Sequence, residues 1–153
     1  MLKDKIREDL NSAIKQGDEL NRSVLRLVVA AISNKEKEKK YKTGQEQLEE
    51  GEVSEVVISE AKKRRESITE FEKAGRSDLA EKERKELKVL QKYLPEQLTE
   101  EEVRKFAQEA VESTKAQSQK DMGKVMAVLM PKLKGRADGS LAGKIVKELL
   151  EKE

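Results

Sequence analysis

Seven basic side chains lie close together near the carboxyl end of the sequence: Lys120, Lys124, Lys132, Lys134, Arg136, Lys144 and Lys147. The two carboxylates between them, Asp121 and Asp138, leave the segment from 120 to 147 at +5, so the rest of the chain is at −3. Ammonium and guanidinium groups are the usual protein ligands of phosphate. The segment therefore predicts contact with a nucleic-acid backbone, through Lys124, Lys132, Lys134, Arg136 and Lys144.

The same segment has a simpler interpretation as an ordinary amphipathic helix. Five apolar residues recur at helical spacing: Met122, Val125, Met126, Leu129 and Leu133. Methionine is an adaptable side chain that fills irregular cores. On this interpretation the apolar stripe is buried and the lysines are merely solvated.

Catalytic chemistry has little support. The chain has neither cysteine nor histidine, which excludes thiolate nucleophiles, thiolate zinc sites and imidazole bases. Gly139 and Gly143, followed by Lys144, imitate a phosphate-binding loop, but three residues separate the glycines instead of four, and Ile145 replaces the required Ser or Thr. We therefore predict no catalytic residues, no metal and no cofactor.

A second basic cluster covers residues 62 to 65, where the sequence is KKRR. Four consecutive helical residues point around the whole helix, so they cannot share one face. This cluster predicts a solvated surface. Aromatic residues are few, Tyr41, Phe71, Tyr93 and Phe106, and none lies in the basic segment, so stacking on single-stranded bases is not expected.

Composition and periodicity predict an all-α protein. Of 153 residues, 35% are apolar and 42% are charged, with a net charge of +2. Helices are predicted over residues 2–16, 19–40, 53–73, 77–94, 99–116, 121–133 and 140–152, with a mobile loop over 41–52. LRLVVAAIS in the second helix predicts a buried centre of the bundle. Neither a signal peptide nor a membrane span is predicted, and a cytoplasmic location follows.

Two helical units are predicted, residues 1–95 with a helical hairpin and residues 96–153 with three helices. The boundary is PEQLTE, where Pro95 stops one helix and Thr99, with Glu102 three residues later, forms a capping box for the next. In the final loop, Gly135 and Gly139 are expected to permit a tight turn and Asp138 to cap the last helix.

Three stretches resemble the YqeY family: LRLVVAAISNKE at 25–36, RSDLAEKERKELKVLQKYLPEQLTEEE at 76–102 and DMGKVMAVLMPKLKGRADGSLAGKIVKELL at 121–150. The last is also similar to the tail domain of GatB, the B subunit of the Asp/Glu-tRNA amidotransferase. There the match falls on Gly123, Val125 and Met126, and on the loop over 135–138. About 95 N-terminal residues have no counterpart in that subunit.

The resemblance implies an N-terminal helical unit and a tRNA-contacting C-terminal unit. The amidotransferase is a carbon-nitrogen ligase that uses glutamine, but its ATP and ammonia chemistry belongs to domains without a counterpart in this sequence. We therefore expect a non-catalytic accessory protein that binds tRNA or another RNA. The alternative is an adaptor that docks on a tRNA-related enzyme through the hairpin over 53–94; an amidase or ligase activity is least favoured.

Overall fold

A computed structural model describes residues 1–151 and confirms the all-α prediction, because these residues form seven α-helices and no strand. The chain divides into two compact units, residues 1–94 and residues 95–153. The helices are α1 (Leu2–Gln16), α2 (Glu19–Thr43), α3 (Glu50–Lys73), α4 (Ser77–Gln91), α5 (Glu100–Thr114), α6 (Met122–Leu133) and α7 (Gly139–Glu151).

The first unit packs α1 to α4 around one apolar core. Gly17 ends α1 with a left-handed φ of 70°, and the Asp18 carboxylate accepts a hydrogen bond from the Asn21 N–H at 3.2 Å to begin α2. The turn between α1 and α2 is thus the one that Gly17 and Asp18 predict. The largest fully buried core residues of this unit are Ile6, Val24, Leu25, Val28, Val57 and Leu90.

The centre of α2 is less enclosed than LRLVVAAIS predicts. Leu25, Val28 and Ile32 are buried, whereas 52% of Leu27 is exposed. The reason is helical geometry, because a helix that packs on one side of its axis leaves the opposite side to solvent. The prediction of a buried segment, made from an almost uniformly apolar run, is therefore wrong for Leu27.

The predicted loop over 41–52 is too long. α2 continues to Thr43 and α3 already begins at Glu50. Glu49 and Glu52 form a capping box, in which the Glu49 N–H donates to the Glu52 carboxylate at 3.1 Å. Lys39 joins the two helix ends, since its Nζ lies 2.7 Å from Glu52 Oε1 and 2.8 Å from the Gln47 carbonyl oxygen.

The KKRR cluster is not wholly solvated. Arg64 is only 7% exposed and lies between the carboxylates of Glu60, at 3.7 Å, and Glu86 on α4, at 3.5 Å. Burial of an arginine is tolerated where carboxylates surround it. Lys62 and Lys63 are exposed, so the prediction of a solvated surface is correct for them and wrong for Arg64.

The second unit packs α5, α6 and α7 around a separate core, with a short 3₁₀ turn at Gln119–Asp121 before α6. The Thr99 capping box is present: Thr99 Oγ1 accepts from the Glu102 N–H at 3.2 Å, and Glu102 accepts from the Thr99 N–H at 3.0 Å. The fully buried large side chains of the second unit are Val103, Val125, Leu129, Leu133, Ile145 and Val146.

Candidate nucleic-acid interface

The apolar stripe of α6 faces the core of the second unit. Val125, Leu129 and Leu133 are buried, and Met122 and Met126 pack against them while partly exposed. The simpler interpretation of this helix is therefore correct for its apolar residues. Burying one face of α6 leaves its charged residues on the opposite side, in solvent.

The loop between α6 and α7 is held by backbone geometry and by one carboxylate. Gly135 adopts a left-handed φ of 74°, a conformation that glycine accepts without steric cost. The Asp138 carboxylate accepts a hydrogen bond from the Ser140 N–H at 3.0 Å, and the Asp138 carbonyl accepts one from Ala142 at 3.1 Å. Asp138 thus has the hydrogen bonds of an N-cap residue for α7.

Gly139 does not make the tight turn expected of it. It is the first residue of α7, and its φ lies outside the left-handed region. A Cβ added there would lie 3.2 Å from the terminal methyl of Met130 on α6. A glycine at this position therefore allows Met130 to pack closely against the start of α7. It is not required by the backbone conformation.

Four of the five candidate RNA-binding residues are exposed lysines: Lys124, Lys132, Lys134 and Lys144. Lys132 follows Pro131, which lies inside α6 near its end, and Lys134 is the C-cap of that helix. Within residues 1–151, Lys124, Lys132 and Lys144 form no ion pair within 4.0 Å. Their ammonium groups are thus available to an anionic partner.

Lys124 lies near one carboxylate, that of Asp121. The pKa of Asp121 is below its ordinary value, chiefly because its carboxylate accepts a hydrogen bond from the Gln117 N–H at 3.0 Å, with a smaller contribution from the charge of Lys124. Asp121 is therefore ionised at neutral pH and offsets part of the positive charge at the start of α6.

Arg136 differs from the four lysines. It is half-buried and lines a groove of about 430 Å³, together with Glu96, Leu98, Glu102, Lys105, Phe106 and Glu109. Three carboxylates share this groove with its guanidinium group. The structure therefore places Arg136 in a different electrostatic environment from Lys124, Lys132 and Lys144.

The segment before α5 is bonded to the loop before α7. The Leu98 N–H donates to the Arg136 carbonyl oxygen at 2.8 Å, and Gln97 Nε2 donates to the Gly135 carbonyl oxygen at 2.7 Å. Gln97 Nε2 also lies 2.7 Å from the Pro95 carbonyl oxygen. These bonds fix the backbone on which Lys134 and Arg136 are carried.

Charge is unevenly distributed along the second unit. Residues 96–114 contain six glutamates and two basic residues, a net charge of −4, whereas residues 120–147 carry +5. One basic residue of the acidic stretch, Arg104, is paired with Glu148 at 3.2 Å. The unit thus combines an acidic α5 with a basic stretch that covers α6, the loop after it and the first part of α7, while Glu148 and Glu151 balance the two lysines of α7.

The described part of the chain contains no group of three or more Asp, Glu, His or Cys side chains suited to a metal ion. Among the same residues, no helix has the length and apolarity that crossing a bilayer requires.

Comparison with known families decides the classification. Residues 3–150 match the family described as Yqey-like protein, which is almost the whole chain. The chain belongs to the YqeY family. The resemblance noted from three sequence stretches is thereby confirmed.

Curated relatives of this YqeY-family chain include fungal proteins called altered inheritance of mitochondria protein 41, mitochondrial. The one from Kluyveromyces lactis is 36% identical over 88 residues, covering 58% of this chain and 45% of that protein. The one from Pyrenophora tritici-repentis is 30% identical over 149 residues, covering 95% of this chain and 79% of that protein. The chain spans about half the length of the first of these.

Sequence reasoning about this YqeY-family chain missed two features of the site, the Gln97 contact with Gly135 and the groove around Arg136. The contact joins residues 38 positions apart in the sequence, and the groove joins Arg136 to residues 27 to 40 positions before it. Helical periodicity reports only which face of a helix is apolar. The PEQLTE junction contains Gln97 and Leu98, but as a sequence signal it marks only a unit boundary and a capping box, and it does not indicate the loop that these residues contact.

Proposed function

We propose that this YqeY-family protein is a non-catalytic accessory protein that binds tRNA through α6, α7 and the loop between them. The observation that carries the proposal is the set of exposed lysines, Lys124, Lys132 and Lys144, that form no ion pair within the described residues. Such groups can exchange condensed counterions for phosphates at little desolvation cost.

Ion pairing in part of the first unit supports this proposal. Several of its basic side chains are already neutralised by carboxylates: Lys3 by Glu36 at 2.9 Å, Lys39 by Glu52 at 2.7 Å, and Arg84 by Glu72. A phosphate would have to displace these partners, which lowers its net gain. Lys124, Lys132 and Lys144 impose no such exchange. Exposed lysines of the first unit such as Lys62, Lys73 and Lys85 form no ion pair within the described residues either, so the distinguishing feature of the second unit is the +5 concentrated over residues 120–147.

Binding of this kind would read backbone and shape rather than bases. The basic segment over 120–147 contains no aromatic residue, so it offers no stacking platform. Lysine is a flexible point charge that contacts phosphates without a fixed bidentate geometry. We therefore expect affinity for structured RNA with little preference for base sequence.

We also propose that the protein has no catalytic activity of its own. Its resemblance to the amidotransferase covers a tail region that contacts tRNA and not the domains that use ATP or move ammonia. The compartment stays a prediction: the sequence favours the cytoplasm, whereas the fungal relatives are named as mitochondrial.

The adaptor alternative finds less support in the hairpin to which it was assigned. The exposed large apolar residues among those described include Leu20 and Leu27 on α2, and Val128 and Met130 on α6, but none on α3 or α4. Docking sites usually have a buried apolar anchor at their centre. A hairpin without an exposed large apolar side chain is a poor candidate for one.

The test is filter binding of purified protein to bulk tRNA, with a double-stranded DNA of similar length as competitor. Saturable binding to tRNA that the DNA competes only weakly supports the proposal. Binding to neither nucleic acid overturns it, and equal binding to both reduces it to non-specific charge attraction.

A further inference from the structure

The groove that contains Arg136 is formed within the second unit by three pieces of backbone. α5 contributes Glu102, Lys105, Phe106 and Glu109, at positions that lie on one helical face. The segment before α5 contributes Glu96 and Leu98, and the loop before α7 contributes Arg136. The Leu98 to Arg136 hydrogen bond closes the groove at the junction of the last two pieces.

Two of the residues that line the groove are apolar. Leu98 and Phe106 are partly buried and pack against the core of the unit, so their outer surfaces line the groove while their inner surfaces are fixed. Phe106 is one of two phenylalanines in the chain. A fixed aromatic ring beside a leucine is a suitable contact for an inserted apolar side chain.

The charged lining residues give the groove a net charge of −1. Glu96, Glu102 and Glu109 stand against Lys105 and Arg136, and Glu102 already accepts a hydrogen bond from the Thr99 N–H. Glu96 and Glu109 are exposed and form no ion pair within residues 1–151. Two exposed carboxylates without an ion pair favour a cationic partner at this groove.

We propose that this groove binds a basic protein segment, an apolar side chain flanked by lysines or arginines, supplied by a protein that acts together with this one. The apolar side chain enters between Leu98 and Phe106, and its basic neighbours meet Glu96 and Glu109. Lys105 and Arg136 donate hydrogen bonds to main-chain carbonyls of the segment. Charge complementarity identifies this partner, and the site is separate from the lysines assigned to tRNA.

The test uses full-length ¹⁵N-labelled protein and two synthetic peptides, acetylated and amidated, of sequence KKLLKKLL and EELLEELL. Saturable NMR shifts from the basic peptide at the Leu98, Phe106 and Arg136 amides, with much weaker shifts from the acidic peptide, are expected. Glu96→Gln with Glu109→Gln should weaken basic-peptide binding on the order of tenfold, since two ion pairs are lost. The same changes at the exposed Glu66 and Glu70 of α3 are the control.

The outcomes separate this proposal from the proposed function. The groove variant should leave tRNA affinity unreduced, because no lysine is changed. Absence of saturable shifts, equal shifts from both peptides, or equal weakening by the control variant overturns the proposal. It is also overturned if tRNA shifts the Leu98 and Phe106 amides, which lie outside the α6–α7 loop, or if the groove variant converts a dimer to a monomer in sedimentation, since the occupant is then RNA or a second copy.

Discussion

The Leu98 N–H and the Arg136 carbonyl oxygen, 2.8 Å apart, connect the segment that precedes α5 to the loop that precedes α7. Gln97 adds a side-chain bond to the neighbouring Gly135 carbonyl, also within hydrogen-bond distance at 2.7 Å. Gly135 is the loop residue with the left-handed backbone. The segment that marks the unit boundary therefore also fixes the loop of the candidate interface.

Replacing Gln97 by alanine should loosen this loop without unfolding the unit. The change removes an exposed hydrogen-bond donor, so the free energy of unfolding should fall by about 0.5–1 kcal/mol. Faster hydrogen exchange is expected at the Leu98 and Arg136 amides, measured by NMR. Gln108→Ala, at an exposed position of α5, is the control. Unchanged exchange at both amides would show that Gln97 does not hold the loop.

Removing Arg64 should destabilise the first unit strongly. Arg64→Ala leaves the nearby Glu60 and Glu86 carboxylates without their buried counter-charge, which costs about 3 kcal/mol in the free energy of urea unfolding. Lys62→Ala, at an exposed neighbouring position, should change it by less than about 0.5 kcal/mol. Similar losses in the two variants would contradict the buried placement of Arg64.

The loss in Arg64→Ala should depend on pH. The pKa of Glu83 is raised, first by burial and then by the charge of Glu86, while Arg64 lowers it. Without Arg64 the folded-state pKa rises further. When the pKa of a carboxyl is higher in the folded protein than in the unfolded chain, the protein loses stability as pH rises through that folded-state value. The destabilisation caused by Arg64→Ala should therefore be larger at pH 7 than at pH 4.5, the ordinary pKa of this carboxyl.

The hydrogen bond from Tyr93 to Asp9, 2.6 Å long, should make stability depend on pH at both extremes. This bond is the main cause of the lowered pKa of Asp9, so Tyr93→Phe should remove about 1 kcal/mol of stability at neutral pH. The difference from the wild type should shrink as pH falls below about 3.8, the ordinary pKa of the carboxyl in the unfolded chain, and disappear once pH is below the lowered pKa of Asp9 in the folded protein.

At alkaline pH the wild type should lose stability as pH rises, which is the opposite direction of pH change. Burial, with help from Asp9, raises the pKa of Tyr93 above its ordinary 10.0, so above that pH the unfolded chain ionises first and the wild type loses stability. Tyr93→Phe should not lose stability in this way. Tyr41→Phe, at a position that is 92% exposed, serves as the control. Parallel pH curves for wild type and Tyr93→Phe would contradict the assignment.

Local sequence signals predicted the helices and several of their ends, because capping depends on residues within one turn. The Gly17-Asp18 turn and the Thr99 capping box are examples. Burial of Arg64 was not predictable in this way, since its partner Glu86 is on another helix. The early start of α3 has a local cause instead, because Glu49 and Glu52 form a capping box within one turn.

The candidate site could likewise be predicted where it depends on local sequence signals, and not where it depends on contacts between distant residues. Exposure of the lysines on α6 and α7 could be predicted from the apolar stripe, since periodicity assigns the buried face. The placement of Arg136 among Glu102 and Glu109 could not, because it depends on how the loop packs beside α5. The sequence shows which side chains are charged, but the fold determines which charged groups lie next to them.

The central claim is that exposed lysines of the second unit hold tRNA phosphates, and the salt dependence of binding tests it most directly. Each neutralised phosphate contributes roughly 0.7 to 0.9 to the slope of log affinity against log salt. With about four contacts the slope should be near −3, and affinity should fall on the order of a hundredfold between about 50 and 200 mM salt.

The decisive measurement compares this slope for wild type and two triple variants. Replacing Lys124, Lys132 and Lys144 by glutamine should flatten it by roughly 2 and leave the circular dichroism spectrum unchanged, because these side chains are exposed. The control replaces Lys62, Lys73 and Lys85, which are equally exposed on α3 and α4, and should keep the wild-type slope. Salt-independent binding, or equal flattening by both triple variants, would contradict the proposed interface.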